Sequence, residues 1–268
     1  MSRTFTYNAL VLRTRPSGEA NREAWLLTAE EGIVKATVFG GPKSSLRAHV
    51  APFHRGQIWI YHDPVRDSRK ITDFDVRSWR PGLRELYERT MAADGIAETI
   101  LTTQGGGGSW EAALALTDRS LDALESADSA VCLRILLQFL WNWADFLGQK
   151  PVMETCASCG DKIGFYNEES GFSACPEGAD GLLWFSPAEE GFICPACANR
   201  QAVYTGRSAG LLPLGKGARR WLAAIETLDP FLMSRYSLDG VSLKQAKAVV
   251  TGLLSGILGK RIAAWDEV

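Results

Sequence analysis

Four cysteines in two C-x2-C pairs, Cys156-Ala-Ser-Cys159 and Cys194-Pro-Ala-Cys197, carry the most legible chemistry in this chain. A C-x2-C pair on a tight knuckle turns both sulfurs toward one point. Two such pairs place four thiolates at about 2.3 Å from a tetrahedral zinc ion. Gly160 behind the first pair and Pro195 inside the second are residues that suit turns. Four thiolates leave no open coordination position, so the expected role is one structural Zn2+ and not a catalytic one. The alternatives are a pair of disulfides or four unrelated thiols. No apolar secretory segment follows Met1, so a cytoplasmic setting is expected, which disfavours persistent disulfides. Cys175, beside Pro176 in the spacer, is an alternative ligand, and Cys132 lies in an apolar run and reads as a small core residue.

A second kind of chemistry is spread along the front of the chain. Residues 1–80 hold 13 Lys+Arg against 8 Asp+Glu, a net +5, and the remainder holds 16 against 23, a net −7. Such asymmetry points to a basic binding module joined to an acidic body. Eight of these 13 cations are the candidate contacts, Arg13, Arg15, Arg22, Lys43, Arg47, Arg66, Arg69 and Lys70, with Trp25, Trp59, Tyr61 and Trp79 interleaved. Lys and Arg can follow a sugar–phosphate backbone while aromatics stack on bases. Some of these aromatics are expected to fill a protein interior instead. Lys216, Arg219 and Arg220 form a smaller basic cluster near the C-terminus, readable as a solvated face or as a dock for an acidic peptide tail.

No hydrolytic constellation accompanies them. His49, His54 and His62 lack a serine elbow or metal-ligand spacing. Gly41-Pro42-Lys43-Ser44 is not a P-loop: proline precedes the lysine and no helix is expected to follow. The run Gly105 to Gly108 lacks the lysine as well and reads as an inter-helix loop. Asp63, Asp67, Asp73 and Asp75 are the one dense acidic group of the front part. They keep a zinc-stabilised, nuclease-like enzyme as the alternative reading, beside a scaffold that binds proteins only.

The elements that must position these residues follow from periodicity. Residues 5–12, 24–28, 33–39, 57–62 and 71–76 alternate or are rich in β-branched and aromatic types. Five short strands within about eighty residues fit an OB-fold barrel. Beyond Arg80-Pro81-Gly82 the period becomes helical: 83–102, then 109–125 with Ser109 as cap, then 130–147, apolar almost all round and stopped by Gly148. Helices are expected again over 215–228 and 242–258. The spacer of 34 residues between the cysteine pairs must hold structure of its own, with hairpins expected around Phe165-Tyr166 and 182–185. The fold class is therefore multidomain α+β: a barrel over 1–80, a helical domain over 81–150 plus 207–268, and a zinc-binding insertion over 151–206. No uncharged apolar run is long enough to span a membrane.

The ordered set of residues resembles a known family. Ala9-Leu10-Val11-Leu12-Arg13-Thr14-Arg15, Gly18-Glu19-Ala20-Asn21-Arg22 and Leu27-Thr28 with Gly32 are followed by Pro52-Phe53. Phe146-Leu147-Gly148 then leads through Pro151 into Cys156-x-x-Cys159-Gly160. This order is similar to that of the bacterial recombination mediator RecO. The resemblance implies a nucleoid-associated protein that binds single- and double-stranded DNA and anneals complementary strands. It also implies cooperation with RecR, and in some members RecF, in loading RecA onto strands coated by single-strand-binding protein. The acidic C-terminal tail of that coating protein would be recognised by the helical part. Members without the cysteines imply that zinc is not required for the activity.

Overall fold

The computed structural model describes residues 3–40, 44–105, 108–163, 182–205 and 210–268. Strands β1 (Thr4–Ser17), β2 (Asn21–Thr28), β3 (Gly32–Val38), β4 (Arg55–Asp63) and β5 (Ser68–Ser78) close into a barrel in the order β1-β2-β3-β5-β4. Every pairing is antiparallel except the parallel closure of β3 on β5. This is an OB-like barrel, with strands longer than their periodicity suggests.

The interior is filled by aliphatic residues, most of them β-branched or small, among them Val11, Ala24, Leu26, Val34, Ala36, Ile58, Ile60 and Ile71, together with Phe74 and Tyr7. None of Trp25, Trp59, Tyr61 and Trp79 is inside, which corrects the expectation that some of them fill the barrel. The period of two decides it: Ile58 and Ile60 point in, so Trp59 and Tyr61 point out. A second correction is helix α1 (Ser45–His49), a single turn directly after Ser44 where no helix was expected. Five residues cannot show a helical period, but Leu46 packs on the barrel core and holds the turn.

Leu10, Leu12 and Leu27 are fully buried yet lie outside the interior cluster. They face the helices α2 (Tyr87–Thr102) and α3 (Trp110–Glu125), which lie against β1 and β2. Ser109 caps α3, its hydroxyl accepting the Ala112 N–H at 3.3 Å. The Trp110 ring sits on Gly32 and Gly105, where a Cβ would come within 2.4 Å and 2.0 Å of it. Both glycines also have positive φ, so no other residue fits there without strain. Arg80, just after β5, is buried and donates to Asp118, to Asp122 at 2.7 Å and to the Phe53 carbonyl at 3.0 Å.

Helix α4 (Ser129–Phe146) is apolar nearly all round and stops at Gly148, φ +69°, whose N–H returns to the Asp145 carbonyl at 2.8 Å. By compactness the chain forms two units, 1–139 with 262–268, and 140–261. In the second unit, β6 (Leu183–Ser186), β7 (Gly191–Ile193) and β8 (Leu212–Leu214) form a sheet in the order β7-β6-β8. Helix α5 (Pro195–Thr205) precedes β8, and α6 (Lys216–Ile225) and α7 (Gly240–Leu258) follow it. Asp239 caps α7 by accepting the Val241 and Ser242 N–H groups at 3.0 and 2.9 Å. No helix of the described residues is long and apolar enough to cross a membrane.

Candidate functional site

The cysteine cluster is built from two backbone turns that the sequence places far apart. Cys156 and Cys159 lie on a knuckle closed by the Gly160 N–H on the Cys156 carbonyl and the Cys156 N–H on the Asp161 carbonyl, both 2.8 Å. Gly160 takes φ +78°, the left-handed turn that its position demands. Cys194 follows β7, and Cys197 lies in the first turn of α5, which opens on Pro195. The Ala157 N–H donates to the Phe192 carbonyl at 2.8 Å and so ties the first knuckle to β7.

The four Sγ atoms lie within 4.8 Å of one another. Sulfurs about 2.3 Å from one tetrahedral ion stand about 3.8 Å apart, so a modest contraction brings them to ligand geometry. No disulfide joins the described cysteines. Burial pushes the Cys156 thiol up, but N–H groups of Cys194, Cys159 and Ser158 aimed at its sulfur outweigh that and bring it down to about 7. At Cys159 the Asp161 N–H favours the thiolate, yet burial and side-chain hydrogen bonds with Cys156, Asp161 and Cys197, which hold the proton on the sulfur, push the thiol up to about 12. One sulfur pushed down beside a neighbour that keeps its proton is a thiolate–thiol pair, and a divalent cation bound there would displace the remaining proton. Arg200 reaches the Cys197 sulfur at 2.9 Å, an outer-shell contact. The site thus fits a structural metal. Cys132 is buried in α4, and Cys175 and the Phe165-Tyr166 hairpin lie outside the described residues.

On the barrel, one row of residues is assembled by strand register. Arg13 on β1 stands opposite Trp25 on β2, and Trp25 opposite Lys35 on β3. A register shift between Val11 and Arg13 makes this possible. Without it Arg13 would face Ala24, whose side chain lies in the interior; the extra residue re-aims the arginine outward. Around the Trp25 ring stand Arg13 at 5.0 Å, Arg15 at 5.7 Å and Lys35 at 5.4 Å from its centroid, all within cation–π range. Burial and Arg15 depress the Arg13 guanidinium. Lys35 also meets Glu23 at 2.8 Å, an exposed pair of small strength. Past the end of β3, Phe39 is exposed, and the Lys70 ammonium lies 5.2 Å from its ring.

The other expected contacts fare differently. Arg22 is half-buried at the start of β2, Arg47 on α1 donates to the Ala20 carbonyl at 3.3 Å, and Arg66 is exposed in the β4–β5 turn. Arg69 is ion-paired to Glu31, itself hydrogen-bonded to Tyr7. Lys43 lies outside the described residues. Lys35 and Phe39 escaped the sequence reading, although counting alternation from Val34 would have put both outside. In the second unit Lys216 and Arg220 are exposed, while Arg219 is buried and donates to the Ile163 carbonyl. It ties the segment after the first knuckle to α6 and is not a surface cation. Of the acidic group, Asp63 accepts the Val65 N–H at 3.0 Å and shapes its own turn, and Asp67 stands 3.4 Å from His62. Among the described residues, the four cysteines are the one cluster of metal-ligating geometry.

Two family models account for most of the chain. "Recombination protein O N terminal" matches residues 1–78 and "Recombination protein O C terminal" matches 84–265. The chain is 27% identical over 253 residues to the DNA repair protein RecO of Heliobacterium modesticaldum, covering 92% of this chain and 83% of that one. It is 27% identical over 216 residues to that of Pelotomaculum thermopropionicum, covering 80% and 76%. With the relative from Desulfitobacterium hafniense it is 27% identical over 192 residues, and the match spans 63% of that protein's length. An OB-like barrel matched by the first model, and a helical region with a four-cysteine cluster matched by the second, make the chain a member of the RecO family of DNA repair proteins.

Proposed function

We propose that this protein is a DNA-binding recombination mediator that makes and breaks no covalent bond. It holds single- and double-stranded DNA on the outer face of the barrel, anneals complementary strands, and helps to load RecA onto strands coated by single-strand-binding protein. RecR, and RecF in some organisms, are its expected partners. The observation that carries the reading is the row Arg13–Trp25–Lys35 with Arg15, a cluster of cations pre-oriented on an outward-facing, half-buried aromatic. Cations fixed in place neutralise phosphates without first losing side-chain freedom, and they read no base. Annealing needs only partial neutralisation of two backbones while base edges stay free to meet.

The cysteine cluster would hold one Zn2+ through Cys156, Cys159, Cys194 and Cys197. When bound, the ion supplies a covalent-strength cross-link between the first knuckle and the start of α5, and no reaction step. The barrel module, the helical body and the cysteine insertion then divide the work into gripping, partner recognition and bracing. Lys216 and Arg220 are the exposed cations on which an acidic protein tail would dock.

Titration of a labelled oligonucleotide at two salt concentrations tests the reading. Counterion release predicts sequence-independent binding that weakens steeply as salt rises. Equal affinity at both concentrations, or strand cleavage on adding Mg2+, would overturn it. Annealing with and without single-strand-binding protein tests the partner.

A further inference from the structure

The two outward-facing aromatics of the cationic band, half-buried Trp25 and exposed Phe39, differ in how they are occupied. Trp25 is ringed by three cations from two neighbouring strands, with Arg13, Arg15 and Lys35 all within 5.7 Å of its centroid. A base could reach that ring only by displacing them. Phe39 has one cation, Lys70, at 5.2 Å, and is 48% exposed. It lies outside the interior cluster, whose last β3 member is Val38. A lone exposed phenylalanine needs no explanation. This one continues a cationic band, because Lys70 faces Thr37 across the parallel β3–β5 closure. A ring open to solvent beside an ammonium matches the two halves of a nucleotide, a π-face and a phosphate.

We infer that Phe39 is the residue by which the barrel distinguishes unpaired from paired strands. Its ring stacks on an exposed base while Lys70 takes the adjoining phosphate. Trp25 plays a different part, as a positioning residue that holds Arg13, Arg15 and Lys35 toward backbone phosphates shared by single strands and duplexes alike. The inference rests on the barrel being the DNA-binding module. The bases of a duplex are stacked on each other, so their faces are closed to Phe39. A phosphate row has no such restriction.

Binding of a labelled thymidine oligonucleotide and of a duplex of equal length, each over a range of salt, separates the two roles. Phe39→Ala should weaken the oligonucleotide about 5- to 150-fold, equivalent to about 1–3 kcal/mol. The duplex should change less than about twofold, and the salt dependence of both should stay as it was. Phe39→Trp should restore the single-strand affinity and guards against a folding defect in the alanine variant. Lys35→Ala should weaken both ligands and lower the salt slope by about 0.7–0.9. If Phe39→Ala leaves the oligonucleotide unaffected, or weakens both ligands equally while Lys35→Ala behaves as stated, Phe39 is not the discriminator and the DNA reading stands. If the unaltered protein binds neither ligand at low salt, both fall together.

Discussion

Tyr7 donates its phenol proton to Glu31 at 2.6 Å, and the same carboxylate holds the guanidinium of Arg69. A cation that looks available in the sequence is therefore already spoken for. Arg69→Ala should weaken DNA binding by less than about twofold, whereas Lys70→Ala should also lower the salt slope by nearly one. Glu31→Gln releases Arg69 and should strengthen binding about two- to fivefold, the scale of an exposed ion pair. Parallel salt titrations of the three variants check the order.

The same contact sets an alkaline limit on the barrel. Burial, and then the Glu31 hydrogen bond, push the Tyr7 phenol from its ordinary 10.0 up to about 12. A raised acid stabilises the fold fully below its unfolded value, and that contribution disappears as pH climbs from about 10 to about 12. Melting temperature followed across this window should fall, and Tyr7→Phe should flatten that fall. At the acid end, burial lowers the His54 imidazole below 6.5. Its contribution is present above pH 6.5 and is lost as the pH falls below it, because the unfolded chain takes up the proton first.

Removal of the metal should disturb one unit and spare the other. Mercurial titration of the thiols in the presence of a zinc indicator should release one ion per chain. Cys194→Ser or Cys159→Ser should disorder the cysteine segment, since the binding energy of such sites is of order 10–16 kcal/mol and is folding energy. DNA affinity of the barrel should stay within about twofold. Complete loss of binding, with the barrel still folded by circular dichroism, would put the cysteine segment in the interface.

Arg80 offers a test of stability alone. Its side chain is 1% exposed, while its partners Asp118 and Asp122 keep 29% and 41%. Truncation leaves carboxylates that water can still reach, so Arg80→Ala should cost about 3 kcal/mol, the lower end for a broken buried pair. Arg80→Lys should recover little, because one ammonium cannot reach both aspartates and the Phe53 carbonyl at once. Urea denaturation measures both.

How far the sequence spoke depended on the range of the interaction. Strands, the long helices, the Ser109 cap and the Gly148 stop are written in local pattern, and so were legible. The four cysteines were legible for a related reason: ligand spacing is a local signature even when the pairs are 34 residues apart. Helix α5 was missed because Asn199, Arg200 and Gln201 break any apolar period; its start is set by Pro195 and the cysteine turn instead. Strand β8 was missed because three residues, one of them Pro213, carry no alternation. Arg219 looked like its neighbours Lys216 and Arg220, and only the turn of α6 shows that it points inward. The outward placement of Arg13 depends on a bulge, which no count of alternating residues reveals.

Leu10, Leu12 and Leu27, buried beneath α2 and α3 on the barrel's outward side, separate ancestry from mechanics. The break between the two family models, after residue 78, marks where sequence kinship is divided; the first compact unit runs on to residue 139. A chimera that exchanges residues 1–78 with a relative would inherit a mismatched underside, with Trp110 seated on a foreign Gly32. Exchange along the fold's own grain would carry α2, α3 and the closing 262–268 segment with it.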